Sequence, residues 1–221
     1  MFRIIGNEYK KYSSLRGSII IIEGNIGVGK STLGKNITKF LNDAELKTKF
    51  FPEYVNDLFL KKYIDNMQVY ALGFQIMMLL KRIEVYKEAI NFAQCGGISI
   101  IDRGLIGDLV FAGMLYKKGI IDDDGWSIYK SMQDNTLVEP HCVLYLKCSI
   151  ETAMRRIMKR GNNAEKGYSM TYLSELSDAY ESKIKELEQN IIEFDWNEDI
   201  IINDFTISNI LTKIIKGFTT C

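Results

Sequence analysis

An α/β fold with a five-stranded parallel sheet wrapped by helices is predicted from three features of the chain. Short apolar, β-branched runs occur at 18–23, 47–51, 98–102, 142–147 and 200–203, which is how strands buried on both faces read. Amphipathic stretches fill the intervals, at 30–41, 55–64, 69–93, 107–117, 125–137, 150–160, 171–194 and 208–218, and such alternation implies βαβ crossovers. The third feature is a glycine-rich turn at 24–31, between the first strand and the first helix.

That turn reads GNIGVGKS and matches G-x-x-x-x-G-K-[ST], the phosphate-binding P-loop, in the strand-turn-helix setting that gives the motif its meaning. Gly24, Gly27 and Gly29 let the backbone curl so that N–H groups, including those of Asn25, Ile26 and Val28, point at one anion. The helix N-terminus adds a favourable dipole at Lys30, Ser31 and Thr32. Lys30 is expected to bind the β- and γ-phosphates and Ser31 to bind Mg²⁺. In the third strand, Asp102 ends the run 98–102 at the C-terminal sheet edge, where ligands of such folds bind, and can also hold Mg²⁺. Arg103 beside it can reach the transferring phosphoryl group. In the long helix 69–93, Leu72, Ile76, Leu79, Leu80, Ile83, Ala89 and Ile90 recur at helical spacing and read as core. Ser149 is the expected N-cap of helix 150–160, with Glu151 in its first turn. Arg155, Arg156, Lys159 and Arg160 end that helix and run into a Gly- and Asn-rich loop, a cationic lid at about 155–168 suited to neutralising a transferring phosphate.

Composition narrows the function. The 28 Lys and Arg balance 28 Asp and Glu, so general binding to nucleic acid or an anionic membrane is not expected. A single histidine, His141, cannot form a His-pair zinc site. Four cysteines without a C-x-x-C pair suit a reducing cytoplasm, and no apolar run approaches the ~18 residues needed to span a bilayer. No N-K-x-D tetrapeptide is present to read guanine, and Asp122 to Gly125, which fits D-x-x-G, reads as an acidic turn. With no repeat or linker visible, residues 1–221 are expected to form one domain, with 1–17 as an N-terminal extension.

The ordered set of motifs resembles the deoxynucleoside kinase family. It comprises the P-loop, Phe51-Pro52-Glu53, Phe74-Gln75 with Arg82 seven residues on, Asp102-Arg103 with Asp108, and the strand Leu144-Tyr145-Leu146. Arg156-x-x-x-Arg160, followed by Glu165 and Tyr172-Leu173, completes it. The resemblance spans about 19–181 and implies a P-loop three-layer fold with an Arg-bearing lid, a homodimer, and ATP with Mg²⁺. The implied reaction is transfer of the γ-phosphate to the 5′-hydroxyl of a deoxynucleoside. Glu53 matches the general base, Gln75 the amide on the base edge, and Phe74 a wall against sugar or base. Arg82 and Asp108 match a pair facing an amino-bearing base (adenine, guanine or cytosine over thymine). Arg103 contacts the 5′ end, Arg156 and Arg160 form the clamp, and Glu165 binds the 3′-hydroxyl with Tyr63, or alternatively Tyr70. The chain departs from the family pattern at Asp102 and Gly104 (Glu-Arg-Ser), Tyr54 (Pro), Leu58 (Trp), Ala112 (an aromatic), Asn162 (Arg) and Ala164 (Glu), which suggests a roomier pocket. A thymidylate-type monophosphate kinase and a nucleotide-dependent binding module are the alternative readings.

Overall fold

The computed structural model describes residues 10–134, 140–187, 191–197 and 202–218. Its sheet has the order β2-β3-β1-β4-β5, with every neighbouring pair parallel. The strands are β1 (Ile19–Gly24), β2 (Thr48–Phe51), β3 (Ile98–Asp102), β4 (Cys142–Lys147) and β5 (Ile191–Asp195). The helices are α1 (Lys30–Asp43), α2 (Asp57–Asp65), α3 (Met67–Gln94), α4 (Leu105–Lys117), α5 (Asp123–Asp134), α6 (Ile150–Arg160), α7 (Met170–Glu186) and α8 (Asp204–Phe218).

Both faces of the sheet are covered, which is why β1 can be an unbroken run of isoleucines. Ile20 and Ile22 pack with Leu33, Ile37 and Leu211 of α1 and α8. Ile19 and Ile21, half a pleat out of phase, pack with Phe51, Ile101 and Tyr86 and Ala89 of α3. A further cluster joins Tyr145 of β4 to α2, α3, α4, α6 and α7. The order places β1 between β3 and β4, so the crevice of the switch point opens at its C-terminal end, at Gly24.

Four strands lie within one residue of expectation; the fifth does not. The run 200–203 is not β5: residues 200 and 201 lie outside the described set, and Asn203 caps α8, its Oδ1 accepting from the Thr206 N–H at 2.9 Å. The strand is Ile191–Asp195, of which 191–194 were expected to continue α7, a helix that stops at Glu186. This edge strand pairs with β4 alone and is half exposed, so its sequence carries Glu193 and Asp195 instead of a continuous apolar run. The end of the helix expected at 125–137 also falls partly outside the described residues. Within the expected N-terminal extension, residues 10–15 form a 3-10 turn that inserts Tyr12 and Leu15 into the core, with the Tyr12 hydroxyl 2.8 Å from Ser208 Oγ.

In α3 the helix is as expected but its inward face differs. Phe74, Gln75, Met78, Leu79, Arg82, Tyr86 and Ala89 are buried, while Leu80 is 46 % exposed. Two polar residues turn inward because partners on other elements satisfy Arg82, and Gln75 faces the cleft described next.

Candidate active site

Residues at the C-terminal ends of β1, β2 and β3 meet α3, α4, the end of α6 and the loop that follows it around one cleft of about 840 Å³. The P-loop forms its floor. Gly24, Gly27 and Gly29 all have positive φ (141°, 78° and 110°). At Gly24 and Gly27 a side chain is excluded twice over, since an added Cβ would lie 2.5 Å from the carbonyl oxygens of Leu146 and Ala153 respectively. The loop is therefore pressed between β4 and α6. Lys30 is 6 % exposed and donates to the Gly24 and Asn25 carbonyls at 3.1 and 2.9 Å. Burial, helped by the nearby charge of Arg103, lowers its pKa to about 8. Ser31 Oγ donates to Asp102 Oδ2, and Asp102 Oδ1 is buried with no hydrogen-bond partner among the described residues. A hydroxyl and an unsatisfied carboxylate oxygen beside a phosphate loop are hard donors that fit Mg²⁺ shared with a nucleotide. Among the described residues no cluster of three or more His, Cys, Asp or Glu side chains could form an all-protein metal cage.

Glu53, two residues past β2, is the centre of a buried ion network. Arg103 Nε and Arg82 Nη2 donate to its Oε1 at 2.9 and 3.1 Å. Among the described residues nothing bonds Oε2, which leaves that oxygen to meet a proton. Burial pushes the Glu53 carboxyl upward, but Arg103, Arg82 and Lys30 overrule it and hold it at about 2. Arg82 also donates from Nε to Asp108 Oδ2 at 2.6 Å and from Nη1 to the Arg103 carbonyl at 3.1 Å. Burial raises the Asp108 carboxyl against the pull of Arg82.

Gln75, Met78 and Arg82, on one face of α3, line the cleft together with Phe74, Leu60, Val55 and Phe111. The Gln75 side chain is buried close to the Tyr63 hydroxyl, and its Nε2 makes no well-formed hydrogen bond among the described residues. Phe111 occupies the aromatic place expected at 112, while Ala112 is fully buried in the core. That aromatic wall is therefore kept, one residue earlier. The other is absent: Leu58 is 79 % exposed. Across the cleft, Arg156 Nη1 donates to the Val28 carbonyl at 2.9 Å, and Arg160 pairs with Glu165 Oε2 at 2.7 Å.

Of the expected site residues, four stand off the cleft wall. Gly24 acts through its carbonyl, which also accepts from Arg103. The Asn25 side chain is tied to α7, donating to the Leu173 carbonyl at 2.8 Å. Val28 is fully buried. Tyr63 stacks behind Phe74 at 4.7 Å, its hydroxyl 2.9 Å from that of Tyr172, and Tyr70 packs edge-on to Phe59. Tyr168, not singled out in the sequence, lines the cleft near Glu165, and Trp196 lines its other end against Gly29. Glu23 and Tyr180, buried beneath Arg103, were also not legible, because only the fold brings β1, α7 and the end of β3 together.

Comparison with known proteins gives a consistent result. The model of the deoxynucleoside kinase family matches residues 20–219. A deoxyadenosine kinase of Dictyostelium discoideum is 34 % identical over 198 residues, covering 87 % of this chain and 77 % of that protein. A deoxyadenosine/deoxycytidine kinase of Bacillus subtilis is 29 % identical, covering 79 % and 80 %. The structure of deoxyadenosine kinase from M. mycoides with bound dCTP superposes with a TM-score of 0.74 at 26 % identity, covering 88 % of this chain and 98 % of that one.

Proposed function

Since the chain belongs to the deoxynucleoside kinase family, we propose that it transfers the γ-phosphate of ATP to the 5′-hydroxyl of a deoxynucleoside, favouring deoxyadenosine, deoxyguanosine or deoxycytidine over thymidine. The observation that carries this reading is the carboxylate of Glu53, fixed by two arginines at the sheet edge that also bears the P-loop.

In this reading Lys30 and the loop amides bind the donor phosphates, and Ser31 and Asp102 would hold Mg²⁺. The ion, when bound, neutralises charge on the phosphate oxygens. Arg156 and Arg160 close over the same oxygens from the lid. Glu53 takes the proton of the 5′-hydroxyl through Oε2, while Arg103 faces both Glu53 and the 5′ end. Gln75 gives the base edge a donor and an acceptor side by side. Asp108 on Arg82 offers an acceptor for an exocyclic amino group, which thymine lacks. Glu165 receives the 3′-hydroxyl, which requires Arg160 to exchange its partner for phosphate when substrates bind.

We further propose a homodimer working in the cytoplasm. Free thiols at Cys95, Cys142 and Cys148 suit that compartment, and among the described residues no helix is long and apolar enough to cross a membrane.

Incubation with ATP, Mg²⁺ and each of the four deoxynucleosides tests the reading, with 5′-monophosphates expected from the three amino-bearing substrates. Phosphorylation of dTMP with none of the nucleosides would instead support a monophosphate kinase. Nucleotide binding with no phosphorylated acceptor would support a binding module.

A further inference from the structure

Glu23 is fully buried at the C-terminal end of β1, and a carboxylate without water must find donors on both oxygens. It does. Oε1 accepts from the backbone N–H groups of Gly104 and Gly107 at 2.8 and 3.0 Å, and Oε2 accepts from the Tyr180 hydroxyl at 3.0 Å. Three donors directed at its two oxygens favour the ionised form. Burial raises the pKa of this group, while Arg103 and the two amides pull it back.

The two amides belong to the first turn of α4, whose N-cap, Gly104, supplies no side-chain cap. A side chain on β1 therefore caps a helix whose N-cap residue lies 81 residues later in the chain. Between β3 and that turn stands Arg103 at φ 65°, a conformation that residues with a side chain rarely adopt and that persists only where the surroundings fix it. The same Tyr180 hydroxyl that donates to Glu23 accepts from Arg103 Nη1. Arg103 Nη1 also donates to the Gly24 carbonyl at 3.1 Å, and the Phe111 ring lies 4.8 Å from the guanidinium carbon. With those directions taken, Nε is turned to Glu53.

We infer that Glu23 and Tyr180 are positioning residues for phosphoryl transfer: they clamp the backbone and the guanidinium of Arg103, and through Arg103 they set the orientation of Glu53. The inference rests on the kinase reading above and adds two residues that touch neither nucleotide nor nucleoside. Their effect is on turnover, because they fix the geometry of groups that act in the transition state, and leave ground-state binding of ATP untouched.

Tyr180→Phe isolates this role, since it removes one hydroxyl and keeps the ring packed on Tyr145 and Phe111. The experiment is a double-mutant cycle with Arg103→Lys, which keeps the charge and loses the planar fork. Steady-state kinetics and ATP affinity are measured on all four proteins. Tyr180→Phe is expected to lower kcat roughly tenfold with ATP affinity within about twofold of wild type, and to have no further effect on kcat in the Arg103→Lys background. Multiplying factors in the double mutant, or an unchanged kcat in Tyr180→Phe, overturns the inference while the kinase reading stands. A wild type that phosphorylates no deoxynucleoside overturns both. Glu23→Gln, which turns an amide NH₂ towards groups that already donate, serves as the second variant. In the folded protein it should show the same loss of kcat and the same silence in the Arg103→Lys background; an independent effect there contradicts the chain through Arg103.

Discussion

Glu53 owes its acidity to two guanidinium groups that are themselves held in place, and this has a consequence for stability. Its pKa of about 2 lies below the ordinary 4.5, so the unfolded chain binds the proton more readily than the folded protein. The stabilisation is complete above about pH 4.5 and is lost as the pH falls towards 2. The difference in unfolding free energy between wild type and Glu53→Gln should therefore shrink between about pH 5 and about pH 3 in urea titrations. A difference that does not change with pH contradicts the ion network. Asp108 makes a second prediction at this scale. It is 2 % exposed and bonded to a buried arginine, and removing one partner of such a pair strands the other charge. Asp108→Ala should cost about 3 kcal/mol, the lower end of the range for broken buried pairs, because Arg82 keeps Glu53. A loss below about 1 kcal/mol would show that the pair is not held as described. The sequence offered Glu53, Arg82, Arg103 and Asp108 through motif order, but not their mutual bonds. Those depend on β2, α3, β3 and α4 converging, which no local pattern encodes.

Elements differ in how far local signals define them. The bounds of α6 follow from the sequence alone, because both ends are written locally: Ser149 accepts from the Thr152 N–H at 3.2 Å, and Gly161 closes the helix at φ 70°. Ser149→Ala should destabilise the protein by about 1 kcal/mol in urea or thermal unfolding. No loss would mean that the cap is redundant with the contact from Asn197 Oδ1 to the Ser149 N–H. In contrast, β5 escapes a periodicity reading because an edge strand with one neighbour needs few apolar residues, while the more apolar run at 200–203 leads towards α8. Likewise, the inward face of α3 is disguised by Gln75 and Arg82, polar residues whose partners or ligand lie elsewhere.

At the scale of the molecule, the sheet was largely legible, since strands covered on both faces must be continuous apolar runs and the P-loop fixes which end of the sheet carries the site. The proposal of a homodimer rests on the family resemblance alone. The proposed homodimer predicts about twice 25.4 kDa in sedimentation equilibrium. A wild-type monomer at micromolar concentration removes the dimer from the account. The balance of 28 positive and 28 negative residues is repeated in the cleft, where Glu53 and Asp108 pair with Arg82, Glu53 also with Arg103, and Glu165 with Arg160. The central claim, that Glu53 activates a 5′-hydroxyl for attack on ATP, is tested most directly by transfer of radiolabelled γ-phosphate from ATP to deoxyadenosine, with wild type beside Glu53→Gln. Wild type should form 5′-labelled dAMP, and the variant should bind ATP equally well while turning over about 10² times more slowly. Equal rates in the two proteins would contradict it.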